Sequence, residues 1–124
     1  MKFHADQPLN NSVEAIGDNW VRIAGQTHEQ SLLLSHTGAL SAWAVTRFDD
    51  LRAEDLAAID TAGQELVVLG TGAQHRHLHP KLARAWIDAG VGWECMNSAA
   101  ACRTYNVLIS EGRRVLLALI QGQG

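Results

Sequence analysis

A chain of 124 residues is about one domain, long enough to bury a single core without covalent staples. Its 47% hydrophobic and 19% charged residues are ordinary for a globular protein, and no stretch approaches the roughly eighteen apolar residues of a membrane helix, which excludes an integral membrane segment. Ten basic against thirteen acidic residues, a net charge of −3, offer no electrostatic footprint for nucleic acid, and two cysteines argue against a disulfide framework.

The segment from Met1 to Asn11 contains Asp6 and no apolar run, so it does not read as a secretory leader, and cytoplasmic residence is the expectation. Ser12 to Ile16 alternates, Gly17 and Asp18 supply a turn, and Trp20 to Ile23 alternates again, predicting a hairpin. Gln30 to Ser35 is a second apolar run, closed by His36, Thr37 and Gly38, with Leu40 to Val45 as its partner. Four antiparallel strands are therefore predicted in the first half.

Beyond Asp49 and Asp50 the pattern changes. Arg52 to Thr61 is rich in helix formers, with Leu56 and Ile59 on one face and Gly63 past the end. Glu65 to Leu69 reads as a buried strand ended by Gly70. Pro80 stands where a helix would begin, Leu82, Trp86 and Ala89 keep one face, and Gly90 closes it. Val91 to Met96 is strand-like, Asn97 or Ser98 can cap a helix running to Glu111, and Arg114 to Ile120 forms the last strand. The unit from Glu65 to Met96 is long enough for a crossover, so its two strands are expected to be parallel, placing the loop at Gly70 beside the helix start at Asn97. Such carboxyl-end crevices are where α/β proteins place ligands.

On a helical wheel Ala101, Cys102, Tyr105, Leu108 and Ile109 share one face, and Arg103, Asn106 and Ser110 fall opposite as one polar patch. A solvated face is one reading of that patch. The other is that Arg103, with its charged fork, and Asn106, with a donor and an acceptor, orient a ligand or partner group. Cys102 sits in the first turns beside Arg103, where the helix dipole favours thiolate, but no histidine is tied to it by a motif, and a small core residue is the plainer assignment.

Gly70, Thr71 and Gly72 follow a strand, a context in which backbone amides bind phosphate. The match stops there: His75 occupies the place of a third glycine, and no lysine followed by Ser or Thr comes after. His75, His77 and His79 alternate and are of a type that suits zinc, copper or nickel, but ligands from a second segment are not legible, so no metal site is assigned. The carboxylates form no acid and base pair, and Asp49 and Asp50 read as structural. Glu111 to Arg114 reads as a helix-ending turn whose arginines could also grip an acidic partner.

Trp43, Gly70 to Gly72, Glu94, Met96, Asn97, the run Ala100, Cys102, Arg103, Thr104, Tyr105, Asn106, and Glu111 to Arg114 together resemble the Mth-like domain family. That family includes mitochondrial complex I assembly factor three and the adipogenesis-associated Mth-like domain protein. The resemblance implies one α/β domain over residues 1 to 124, in a three-layer arrangement with a central mixed sheet, an antiparallel β-rich N-terminal layer and helices on the other side. No catalytic residue can be carried over from it, because the family lacks an established reaction, and no cofactor is expected. A mitochondrial role does not transfer, because the chain shows no transit peptide rich in arginine and serine.

Two functions lead at this level, with metal binding through His75, His77 and His79 as a third. One is a non-enzymatic interaction module with a protein partner, assisting assembly of a membrane-bound respiratory or transport complex. The other is a binding protein or enzyme for a small anionic ligand in the crevice between Gly70 and Asn97, with Gly70, Thr71, Gly72, Asn97, Ser98, Arg103 and Asn106 as candidate binding residues and Cys102 as candidate nucleophile. Oligomeric state is not legible.

Overall fold

The computed structural model describes residues 11–121; the expected absence of a leader falls on residues outside that range. Two sheets form. A three-stranded antiparallel sheet joins β1 (Ala15–Gly17), β2 (Trp20–Ile23) and β3 (Gln26–His28) in that order. A five-stranded mixed sheet joins β4 (Leu32–Ser35), β5 (Leu40–Ala42), β6 (Leu66–Gly70), β7 (Gly92–Met96) and β8 (Val115–Leu119) in the order β5-β4-β8-β6-β7. The helices are α1 (Ala53–Ala57), α2 (Arg84–Ala89) and α3 (Ser98–Ser110).

Alternation along the central strands divides the core in two. Val67, Leu69, Leu116, Ala118 and Ile120 face α1 and α2, where Leu56 and Trp86 are buried. Val68, Val115, Leu117 and Leu119 face the other way, toward Ala101, Cys102 and Tyr105 of α3 and Val21 and Ile23 of the small sheet. The expected three-layer α/β architecture is therefore present, with α3 lying on the same face of the central sheet as the antiparallel layer. β8 is buried along its whole length because it sits between antiparallel β4 and parallel β6, covered on both faces. β6 and β7 pair in parallel, as the crossover length predicts.

Four local expectations need correction. Among the described residues the first half contains five strands, since Gln26–His28 also pairs, through a two-residue turn at Ala24 and Gly25 with φ of 51° and 80°. Two positive φ angles give the mirror-image turn that matches strand twist, and a polar, half-exposed strand carries no hydrophobic signal. β1 begins at Ala15 rather than Ser12. The helix expected over Arg52 to Thr61 is only Ala53–Ala57: Ile59 is still buried with Leu56, but its amide donates to Leu56 O in a tight turn, so it packs from just beyond the helix. The helix expected from Pro80 starts at Arg84: the Leu82 and Ala83 amides donate to the His79 and Pro80 carbonyls in successive tight turns before α-helical bonding begins. Gly90 closes it at φ 72°, as expected.

Candidate functional site

β6 and β7 end level with one another, Gly70 opposite Met96, so the loop after β6 meets the start of α3 at the carboxyl edge of the sheet. The junction is closely bonded. Thr71 N donates to Met96 O at 2.9 Å, Ser98 N to Gly72 O at 2.8 Å, and Gly72 N to Ser98 Oγ at 2.8 Å. Ser98 Oγ in turn donates to Ile120 O at 2.8 Å, tying the end of β8 to the same knot. Asn97 is the N-cap of α3, its Oδ1 accepting from Ala100 N at 2.8 Å. Thr71 Oγ1 donates to Gln74 O and accepts from Arg76 N, which shapes the following loop.

This geometry alters the crevice read from the sequence. Gly70 lies against packed atoms: a Cβ there would sit 2.8 Å from Leu119 Cδ1 and 3.0 Å from Ser98 Oγ. The open space lies one step further out, on both sides of Gly72 and Ala73. On one side a cleft of about 410 Å³ is enclosed by the β1–β2 hairpin, with Trp20 and Ile16, and by Asn97, Ser98 and Gln121. The indole of Trp20 lies over Gly17, where a Cβ would stand 2.0 Å from Trp20 Nε1, so only glycine admits that wall. On the other side a smaller cleft of about 170 Å³ is bordered by Arg47, Phe48, Asp49, Arg76 and the loop from Thr71 to Gln74.

Gly72, Asn97 and Ser98 thus come together at the larger cleft, and Thr71 and Gly72 at the smaller one. Arg103 and Asn106 line neither. The expected patch on α3 is broken up by hydrogen bonding. Asn106 Oδ1 accepts from Val13 N at 2.9 Å and its Nδ2 donates to Val13 O at 2.8 Å, so the amide pairs with the segment entering β1 as another strand would. Ser110 Oγ donates to Val107 O. Arg103 is exposed.

Cys102 is fully buried, and burial pushes its thiol up to about 12 despite Arg103 beside it, so it is a core residue and not a ready thiolate. Cys95, half-buried on β7, is also raised by burial. Tyr105 is raised by burial too, and its hydroxyl reaches Asn11 O at 2.5 Å and Ser35 O at 3.1 Å. The helix-ending arginines have an acidic partner within the chain: Arg113 Nε donates to Glu65 Oε1 at 3.2 Å and Arg114 N to Glu65 Oε2 at 3.0 Å. Those bonds, the Arg114 amide first, hold the Glu65 carboxyl below its ordinary range.

The exposed His75 and His77 rings are tilted with centroids 4.6 Å apart, while His79 Nδ1 accepts from Lys81 N. Among the described residues no group of three or more His, Cys, Asp or Glu side chains is placed to hold a metal ion. Sequence reasoning missed Trp20, Arg47 and Arg76 as site residues. A turn glycine three residues before a tryptophan was a weak signal for the first. Nothing in the sequence pairs Arg47 with a loop nearly thirty residues later.

Residues 13–120 match the profile of a family described as a protein of unknown function, DUF498/DUF598. The chain belongs to this family. A crystal structure of a Bordetella parapertussis protein superposes with a TM-score of 0.83 at 33% identity, covering 92% of this chain and 98% of that one. A Bordetella pertussis solution structure, described as a Mth938-like domain, superposes with a TM-score of 0.79 at 30% identity over 98% of this chain and 93% of the other. An uncharacterized protein of Rhodobacter capsulatus is 45% identical over 114 residues, 90% of this chain and 86% of the relative. NADH dehydrogenase [ubiquinone] 1 alpha subcomplex assembly factor 3 of Xenopus tropicalis is 33% identical over 87 residues, 68% of this chain; the chain spans about half of that protein, 48%. In this Mth938-like domain the Ala100 to Asn106 run that carries the resemblance puts Ala101, Cys102 and Tyr105 in the core and Asn106 in an inter-element hydrogen bond, and leaves Arg103 exposed. Among the described residues no helix is long and apolar enough to cross a membrane.

Proposed function

We propose that this domain is a non-enzymatic interaction module that assists assembly of a membrane-bound respiratory or transport complex, with the carboxyl edge of the sheet as its docking face. The observation that carries this reading is the 33% identity over 87 residues to a protein named as a complex I assembly factor. The chemistry of the site is consistent with it. The hydroxyls of Ser98 and Thr71 and the amide of Asn106 are committed to holding segments together, Asn97 Oδ1 caps α3, and Cys102 is sealed in the core. What the edge offers to a partner is relief: the half-buried Trp20 indole, the exposed Ala73 ridge and a cleft on either side. Aromatic walls beside small polar groups are what protein partners anchor to.

The test is a photo-crosslinking residue at position 73 in the native host, combined with native gels of respiratory complexes from a deletion strain. The expected result is an adduct with a subunit or assembly intermediate of a membrane complex, and loss of that complex on deletion. Normal complexes in the deletion strain together with recovery of the uncrosslinked domain alone would overturn the proposal.

A further inference from the structure

The smaller cleft has a charge arrangement that the assembly reading does not use. Its charged lining residues are Arg47, Arg76 and Asp49. Arg76 Nη2 is hydrogen-bonded to Asp49 Oδ1, and Arg47 Nη2 stands 3.6 Å from Asp49 Oδ2. Two guanidinium groups therefore share one carboxylate, leaving one positive charge uncompensated within the cleft. All three side chains are about half-exposed, so the pairs are screened and open at little cost.

Arg76 is held independently of Asp49. Its guanidinium lies over the Phe48 ring, 5.0 Å from the centroid, and its backbone N donates to Thr71 Oγ1 at 3.2 Å. The loop reverses at Gly72, with φ 101°. Beyond it the backbone amides of Ala73 and Gln74, residues that border the cleft, have no acceptor among the described residues. The cleft adjoins the carboxyl ends of β6 and β8, through Thr71 and Ile120, the place where parallel sheets receive ligands.

We propose that this cleft binds an oxyanion, a carboxylate or phosphate group, that displaces Asp49 from Arg76 and lies between the two guanidinium forks. Asp49 occupies the ligand's position as an internal substitute. At about 170 Å³ the cleft takes a single anionic group and not a nucleotide, whose pockets run to roughly 300 Å³ or more. Arginine forks supply the paired donors such a group requires. The site stands apart from the assembly reading, since a free anion suffices to fill it.

The test is an amide NMR titration with inorganic phosphate and, separately, with succinate, at ionic strength held constant with chloride. Saturable shifts at Arg47 to Asp49 and Gly72 to Arg76 are expected with at least one probe, and which probe saturates tells phosphate from carboxylate. Arg76→Gln should weaken binding at least roughly tenfold, and Arg76→Lys should recover part of it. Asp49→Asn should tighten binding by roughly tenfold, because it removes the internal competitor; a merely structural Asp49 predicts no gain. Linear shifts with both probes, shifts retained in Arg76→Gln, or an Asp49→Asn variant that binds no better would overturn the proposal. The Asp49→Asn arm keeps the question open to decision even if Arg76→Gln does not fold.

Discussion

Asn106 shows how one side chain can look like a ligand group in sequence and act as a strut in the fold. Its amide satisfies both the N–H and the C=O of Val13, whose side chain is buried in the α3-side core. Asn106→Ala should therefore cost about 1–3 kcal/mol in a urea unfolding experiment, since it leaves two half-buried backbone groups unpaired. Asn106→Asp should be no milder, because it keeps the acceptor for Val13 N but sets a carboxylate oxygen against Val13 O, where the amide N–H had donated. Reactivity of the thiols follows from burial in the same way. Alkylation of the native protein near pH 8 should modify Cys95 slowly and Cys102 only at the rate of unfolding, because the thiolate of Cys102 is disfavoured and the sulfur has no exposed surface. Rapid labelling of both under native conditions would contradict this placement.

At the scale of elements, the joint between the β6 loop and α3 depends on Gly70 as much as on its hydrogen bonds. Gly70→Ala would drive a methyl to 3.1 Å from the backbone of Ser98 and closer still to Leu119, so the β6 end and the helix start must separate. A loss of about 1–3 kcal/mol is expected by denaturant titration, as for other overpacked sites. A second joint lies at the opposite edge, where Glu65 before β6 receives Arg113 and the Arg114 amide from the turn before β8. The folded-state pKa of Glu65 lies below its unfolded value, so the ionised form contributes stability at all pH above the ordinary range near about 4.3. That contribution is lost as pH falls through the lowered value. Glu65→Gln should therefore reduce stability at neutral pH and flatten part of the acid limb of a stability profile. An unchanged acid limb would show that Glu65 is not coupled to folding.

For the whole molecule, β8 decides whether there is a fold at all. It is the last of the described elements in sequence and the middle strand in space, pairing with β4 and β6 and feeding both halves of the core. A chain ending at Arg114 should lose its cooperative unfolding transition, as followed by circular dichroism in urea, whereas deleting a peripheral element would leave one. Residual two-state unfolding in that truncation would mean that β4 and β6 can close without β8.

Much of this architecture was legible locally. The parallel strands around a helix, the Asn97 cap, the Gly90 stop and the buried face of α3 each follow from patterns within one or two turns of chain, where side-chain period and capping chemistry act. β3 was not, because a polar strand on a mirror-image turn leaves no apolar trace. Nor was the site. Whether Asn106 faces water or Val13, whether Gly70 opens a crevice or closes one, and whether Arg76 meets Asp49 are contacts across 25 to 95 residues of sequence, fixed only when the sheet order places those segments side by side. Periodicity within the chain fixed the core-facing side of the apolar elements, α3 above all, and the motif residues from Trp43 to Arg114 carried the family and with it the three-layer plan, though not that α3 shares a face with the antiparallel layer. Tertiary structure alone decided which polar groups are spent and which are free, because a hydrogen bond depends on its partner and periodicity does not name one.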